Sequence, residues 1–280
     1  MNGSGIPGAQ GRFIPWPIRA IRVFMMNLLQ SVPDWCFFKE GMDAPSYYAR
    51  VKSLGFGGVE LVDPKRWGAA RAAGLPIVTM SAPGMMDGAN KERNRTSILG
   101  QIRESLSTAS ANGIPIVIVF SGSRQGQDEG EGLRQCMTVF KELSGDAERL
   151  GVTLAFEMLN SIDHGDYMAD SSRFGFDLAE AVGSHRFKIL YDIYHMHRMG
   201  EDVMADILGH LSSIAHIHVA GSPRRDFPGT EQEIDYANIV KRVSVAGYKG
   251  FWGQEFVPTG KDPFSELESA GRLFSRYAEG

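Results

Sequence analysis

The chain has 280 residues, of which 43% are hydrophobic and 22% charged, and its formal net charge is −4 at pH 7. This composition is typical of a globular protein, and it disfavours a protein that binds nucleic acid or membranes mainly through positive charge. No basic run is longer than a pair such as Arg224-Arg225. The two cysteines, Cys36 and Cys136, stand outside any CxxC motif. We therefore expect reduced thiols in a cytoplasmic protein rather than a disulfide framework or a zinc knuckle.

Residues 1–19 are rich in glycine and proline and lack the basic and then apolar pattern of a signal peptide. We expect a flexible leader there, followed by one domain over residues 20–280. The apolar stretch at 21–29 is interrupted by Arg22 and Asn27. It is much shorter than the roughly 20 residues of a transmembrane helix, so we expect no membrane span.

Short apolar, β-branched runs alternate with longer amphipathic segments along the rest of the chain. The runs predicted as strands are residues 21–26, 58–62, 77–82, 116–121, 153–159, 187–193, 214–220 and 251–256. The segments predicted as helices are residues 44–54, 91–112, 132–150, 171–182, 203–212, 236–246 and 266–278. This alternation is typical of parallel strands connected by helices.

Several predicted helices are followed by a glycine shortly before the next strand, as at Gly113, Gly151 and Gly183. Eight strand-helix units in about 260 residues give roughly 32 residues per unit, close to what a (β/α)₈ barrel requires. An open, doubly wound sheet is the alternative, but the glycine-rich phosphate turn expected after its first strand is missing. We predict an α/β fold, a single (β/α)₈ TIM barrel.

Four consecutive predicted strands each carry a metal-ligand type of residue near the carboxyl end: Glu157, Asp192, His218 and Glu255. In such a barrel, these ends meet on one face, where the active site lies. Carboxylates that converge in a water-poor site repel one another unless protons or a cation intervene. We therefore predict that these four residues bind one divalent ion, Mn²⁺, Mg²⁺ or Co²⁺, with Zn²⁺ also compatible.

Two further polar residues are predicted on the same rim. His195 follows Asp192 by three residues, and Arg224 follows His218 by six. Arg224 either holds a substrate carboxylate or hydroxyl or is a solvated loop charge, and Arg225 is expected in solvent. The other histidines expected at the surface or as capping residues are His164, His185, His197 and His210.

The sequence is compatible with two roles for each of two other features. The glycine-rich segment 122–132 follows the fourth predicted strand and is either a mobile lid or an exposed loop. The aromatic residues near the first strands either form an interface patch or line the pocket and the barrel bottom. They are Trp16, Trp35, Phe37, Phe38 and Trp67.

Three segments resemble hydroxypyruvate isomerases, members of the xylose-isomerase-like barrel superfamily of sugar isomerases and epimerases. They are YDIYHMHRM at 191–199, PGT at 228–230 followed by EIDY at 233–236, and EFVP at 255–258. The resemblance is strong from about Leu154 to Pro258 and concerns only the layout of elements from Ile21 to Ser121.

The resemblance implies a metal-dependent isomerase of a small hydroxycarbonyl compound, either a hydroxypyruvate or tartronate semialdehyde-like acid or a ketose. It implies that Glu157, Asp192, His218 and Glu255 bind the metal and that the two glutamates also transfer protons. It implies that the substrate contacts are His195, Arg224, Asn160 and Asp163. It also implies a homodimer or homotetramer. We expect a small-molecule substrate as the partner, and neither nucleic acid nor a membrane.

The sequence departs from the hydroxypyruvate isomerase pattern at several positions. His218 stands where hydroxypyruvate isomerases commonly have Gln and ketose epimerases have His. Met158 stands where hydroxypyruvate isomerases have Pro. A histidine near the end of the third strand is also missing. A ketose 3-epimerase, or a sugar lyase or dehydratase on the same site, therefore stays open. More distant alternatives are a phosphodiesterase resembling apurinic endonucleases and a non-catalytic sugar-binding barrel.

Overall fold

Eight parallel strands pair in chain order, and the eighth pairs with the first, so the sheet closes into a barrel. The computed structural model describes residue 1 and residues 28–279. The strands are β1 (Gln30–Pro33), β2 (Gly58–Glu60), β3 (Ile77–Ser81), β4 (Ile116–Val119), β5 (Thr153–Glu157), β6 (Phe187–Asp192), β7 (Ile214–Val219) and β8 (Trp252–Gln254). The predicted (β/α)₈ TIM barrel is confirmed.

The helices pack around the outside of this barrel. They are α1 (Asp34–Phe37), α2 (Ala44–Ser53), α3 (Trp67–Ala72), α4 (Arg95–Ala111), α5 (Glu129–Leu150), α6 (Ser172–Val182), α7 (Ile193–Arg198), α8 (Val203–Gly209), α9 (Tyr236–Val245) and α10 (Pro263–Glu279). Each of the seven predicted helices is present. In the described part of the chain, no helix is both long and apolar enough to span a membrane.

Side-chain caps explain why several helices begin where they do. Asp43, Asp128 and Ser171 each accept a hydrogen bond from a backbone N–H in the first turn of the helix that follows. Such a cap satisfies one of the amide groups that a helix start leaves without a partner. Because Asp128 caps α5, this helix begins three residues before the predicted start at residue 132 and shortens the predicted loop 122–132.

The first strand of the barrel is not the one predicted. The segment 21–26 and the predicted leader, apart from residue 1, lie outside the described residues, and the strand that closes the barrel is β1. Its first residues, Gln30 and Ser31, are polar but buried. Gln30 donates a hydrogen bond to the carbonyl oxygen of Gly271, and Ser31 donates one to Glu60. These partners satisfy the polar groups, so an apolar run is not needed.

The hydrophobic core lies largely between the strands and the surrounding helices. Phe156 of β5 packs with its ring centroid 5.7 Å from that of Phe140 and 6.1 Å from that of Phe174. The two cysteines are buried and form no disulfide. By contrast, the interior of the barrel toward the carboxyl ends of the strands holds buried charged and histidine side chains. Buried charged residues such as Glu157, Asp192 and Glu255 therefore lie at one end of the barrel.

Candidate active site

The carboxyl ends of β5 to β8 bring four predicted residues together. Glu157, Asp192, His218 and Glu255 each place one nitrogen or oxygen atom within 4.8 Å of the corresponding atoms of the others. All four side chains are buried. Glu157, Asp192 and His218 are strand residues, and Glu255 follows β8 directly. One residue from each of four neighbouring strands is sufficient to build the cluster, because parallel strands end on the same face.

The donor set of this cluster fits a divalent cation. Asp192 Oδ2 and His218 Nδ1 are buried and make no hydrogen bond, although Nδ1 lies 3.0 Å from Glu255 Oε2. Buried polar atoms without a partner are costly, and a cation between them would remove that cost. Three carboxylates and one imidazole are ligands that suit Mn²⁺, Co²⁺ or Zn²⁺, and the carboxylates also suit Mg²⁺.

The carboxyl groups of the cluster differ in pKa. Burial raises the pKa of Glu157 to about 7 and that of Asp192 to about 6. Burial acts in the same direction on Glu255, but the charges of His218 and Arg225 outweigh it and hold the pKa of Glu255 well below its usual range. Two neighbouring glutamates with widely separated pKa values are typical of an acid and base pair.

His195 lies in the site, and Asn160 determines which of its nitrogens carries the proton. The backbone N–H of Asn160 donates to His195 Nδ1 at 3.2 Å, and the side-chain Nδ2 lies 2.6 Å from the same atom. Since Nδ1 accepts, the proton of the neutral ring is on Nε2, which lies 3.5 Å from Asp192 Oδ2. Burial and the charge of Arg225 lower the pKa of His195 well below its ordinary value, so the ring is neutral.

Asp163 is one step removed from the cavity. Its Oδ2 accepts hydrogen bonds from Asn160 Nδ2 at 3.0 Å and from the Tyr194 hydroxyl at 2.6 Å. It is not among the side chains that line the cavity. Asp163 therefore holds Asn160 and Tyr194 in place, whereas the resemblance implied a contact with the substrate.

The structure brings Arg225 to the cluster and leaves Arg224 outside. The Arg224 side chain is 77% exposed and pairs with Asp226, whereas that of Arg225 is 19% exposed. Arg225 Nη2 lies 2.6 Å from Glu255 Oε2 and 3.5 Å from Asp192 Oδ2. The backbone of Arg225 has a φ of 55°, and this turn in the loop directs the two adjacent side chains differently. The prediction of Arg224 as the arginine of the site, with Arg225 in solvent, is corrected accordingly.

Two aromatic rings lie close to the Arg225 guanidinium. Its central carbon lies 5.2 Å from the ring centroid of Trp35 and 5.5 Å from that of Tyr194. Trp35 also donates a hydrogen bond from Nε1 to Glu255 Oε1 at 2.9 Å. The rings and the carboxylates together fix the guanidinium at the edge of the cluster.

The cluster opens into a cavity of about 340 Å³. The residues that line it are Trp35, Leu61, Ser81, Met85, Ile118, Phe120, Glu157, Leu159, His164, His195, Arg225 and Glu255. Trp35, for which the sequence left an interface or a pocket lining open, therefore lines the cavity. His164 does so as well, although it was predicted as a surface or capping residue.

Sequence reasoning also missed Glu60, which forms a second buried group with His216 and His218 beneath the first. The signal was available, because a glutamate interrupts the apolar run GVELV of the second predicted strand. A charged residue in a buried strand requires a partner, and here the partners are on β7.

Comparisons with known proteins agree with this fold. The family model described as xylose isomerase-like TIM barrel matches residues 48–270. A putative hydroxypyruvate isomerase of Mus musculus is 28% identical over 205 residues, which cover 69% of this chain and 74% of that protein. The hydroxypyruvate isomerase of Escherichia coli K12 is 33% identical over 107 residues, which cover 38% of this chain and 41% of that protein.

A solved structure extends the agreement in fold. The crystal structure of an AP endonuclease, family 2, from Brucella melitensis superposes with a TM-score of 0.78 at 22% sequence identity. The superposition covers 89% of this chain and 99% of that one. At this level of identity, the likeness establishes the barrel architecture and nothing about the reaction.

Proposed function

Because the chain belongs to the xylose isomerase-like TIM barrel family, we propose that it isomerises a small hydroxycarbonyl acid by moving a proton between neighbouring carbon atoms. Hydroxypyruvate and tartronate semialdehyde are the leading candidates. The observation that carries the proposal is the position of Glu157 and Glu255 in one buried cluster that fits a divalent ion. Relatives named as hydroxypyruvate isomerases support it.

The positions of the two glutamates support this proton transfer. They extend from β5 and from the end of β8, which are separated by two strands of the barrel, and both line the cavity. One carboxylate removes the proton from the carbon beside the carbonyl group, and a carboxyl group returns a proton to the former carbonyl carbon. The hydroxyl proton of the substrate moves to the former carbonyl oxygen, so that hydroxyl and carbonyl groups exchange places. A divalent ion held by Glu157, Asp192, His218 and Glu255 would withdraw electron density from the substrate oxygens and so acidify that C–H bond.

His195 and Arg225 orient the substrate in this proposal. His195 Nε2 has no hydrogen-bond partner and carries a proton, so it is available to donate to a substrate oxygen. The Arg225 guanidinium is suited to pair with a carboxylate in two parallel hydrogen bonds. Its position on the cavity favours an acid over a neutral sugar. The cavity is at the low end of the range of about 300–1,000 Å³ for ligand pockets, which suits a short-chain compound.

A ketose epimerase is the second candidate. His218 occupies the position at which the sequence resembles the ketose epimerases rather than the hydroxypyruvate isomerases. Two carboxyl groups on different sides of one carbon would remove a proton from one face and return it to the other. Apurinic endonucleases take further histidine ligands from the ends of earlier strands, and the ends of β3 and β4 in this chain carry none. We therefore do not propose phosphodiester hydrolysis.

Proton NMR in D₂O tests the proposal. The protein loaded with Mg²⁺ is incubated with hydroxypyruvate and with a panel of ketoses and aldoses, and the signals of the protons beside the carbonyl group are followed. We expect these signals to disappear for hydroxypyruvate and to persist after EDTA treatment. Exchange with ketoses alone would favour the epimerase, and no exchange with any compound, with metal shown to be bound, would reject the proton transfer.

A further inference from the structure

Beneath the proposed metal cluster, Glu60 is surrounded by hydrogen-bond donors from three strands. Its side chain is fully buried. Ser31 donates to Oε1 at 2.6 Å, and Thr79 donates to Oε2 at 3.1 Å. His216 Nε2 and His218 Nε2 lie 2.8 and 3.1 Å from the same Oε2. A buried carboxylate with contacts on both oxygens is fixed in position and cannot turn toward another partner.

His218 connects this network to the metal cluster through its two ring nitrogens. Nε2 faces Glu60, whereas Nδ1 lies 3.0 Å from Glu255 Oε2 and 3.7 Å from Glu157 Oε1. Without an ion, both ring nitrogens of His218 face carboxylates and the ring carries a positive charge. A metal ion requires the lone pair of Nδ1, so it would replace the proton there, while Glu60 would keep the other proton on Nε2. We propose that Glu60 is a positioning residue that fixes the tautomer and ring orientation of His218 for the divalent ion. The inference rests on the proposed function.

Space for the network comes from a glycine on the neighbouring strand. A Cβ atom at Gly253 of β8 would lie 2.4 Å from Glu60 Oε1, 2.6 Å from His218 Cδ2 and 3.1 Å from His216 Nε2. The first two distances are shorter than real Cβ contacts, so any other residue would displace the carboxylate or the imidazole. The position of Glu60 beside His218 therefore depends on the glycine at position 253 as well as on the hydrogen bonds of Glu60.

A second cation, held by Glu60, His216 and His218, is the competing interpretation of these contacts. Such an ion would have to replace the proton on His218 Nε2 that is hydrogen-bonded to Glu60. It would also have to displace hydroxyl hydrogen bonds, because Ser31 and Thr79 already donate to Glu60. Both oxygens of Glu60 already accept hydrogen bonds from hydroxyl groups without an ion, so we infer that one ion binds per chain and that Glu60 does not bind it.

Metal affinity measured directly, without turnover, tests this role. Mn²⁺ binding to the wild-type chain and to Glu60→Gln is followed by electron paramagnetic resonance of the free ion. The amide keeps the size of the side chain but removes the charge, and we expect affinity to fall about 10- to 100-fold, as for other carboxylates behind a ligating histidine. The matched control is Asp206→Asn, which removes the charge of a carboxylate in the helix layer that accepts from the Tyr191 hydroxyl. We expect it to bind Mn²⁺ as the wild type does.

The outcomes separate this inference from the proposed function. Equal affinity in Glu60→Gln and the wild type would overturn the positioning role alone, and two ions per wild-type chain would favour the second cation instead. A wild-type chain that binds no Mn²⁺ would overturn the metal site as well. A further measurement needs no variant: with Co²⁺ bound, the wild type should show one strongly shifted, exchangeable N–H proton resonance from His218. Absence of that resonance would contradict the proposed tautomer even where Glu60→Gln fails to fold.

Discussion

Replacing Arg225 with alanine separates the arginine that the structure places in the site from its neighbour in sequence. The change removes a guanidinium that contacts Glu255 and Asp192 and lies against the rings of Trp35 and Tyr194. We expect the barrel to fold, because these contacts lie in a loop beyond the strand ends. We expect kcat/KM for an acidic substrate to fall sharply, since the group proposed to pair with its carboxylate is lost.

The magnitude follows from the contacts that Arg225 is able to make. A hydrogen bond to a charged group contributes about 1.5–3 kcal/mol, so loss of a two-bond pair with a carboxylate costs about 3 kcal/mol or more. Since about 1.4 kcal/mol corresponds to a tenfold change in rate, kcat/KM should fall by about two orders of magnitude. The side chain is mostly buried, so solvent screens this interaction only weakly.

Arg224→Ala is the matched control, because it removes the same side chain one position earlier. That side chain is largely exposed and pairs with Asp226, an interaction worth about 0–1 kcal/mol. We expect kcat/KM to stay within about threefold of the wild type in this variant. Steady-state kinetics of both variants on the substrate identified by NMR provides the comparison. An equal loss in both variants, or a larger loss in Arg224→Ala, would refute the assignment.

Two further predictions concern the glutamates and the core. Glu157→Gln and Glu255→Gln should each fold, as judged by circular dichroism, and lower kcat by about 10²- to 10⁴-fold, since each loses a proton-transfer group. Turnover within a few-fold of the wild type in either variant would remove that residue from the mechanism. Phe156→Ala deletes a fully buried ring packed among other phenylalanines, and urea denaturation should show a loss of about 3–5 kcal/mol in the free energy of unfolding. A loss below about 1 kcal/mol would contradict the packing.

The sequence by itself determined the barrel and the residues that meet in the cluster. Short apolar runs and amphipathic helices are local patterns, and β2 to β8 lie within the predicted strands. The four ligand-type residues could be predicted because each is at or directly after a strand end, and parallel strands in a barrel end on one face. No knowledge of the contacts between strands was needed for either conclusion.

Only the tertiary structure decided which arginine enters the site, where the first strand lies and which residues contact Glu60. Arg224 and Arg225 are adjacent and chemically identical, and the conformation of their loop alone distinguishes them. Gln30 and Ser31 form a buried strand because other elements supply their hydrogen-bond partners. Glu60 faces His218, which is 158 residues away in sequence. A buried polar group is stable only beside its partner, and a partner on another strand leaves no local pattern in the sequence.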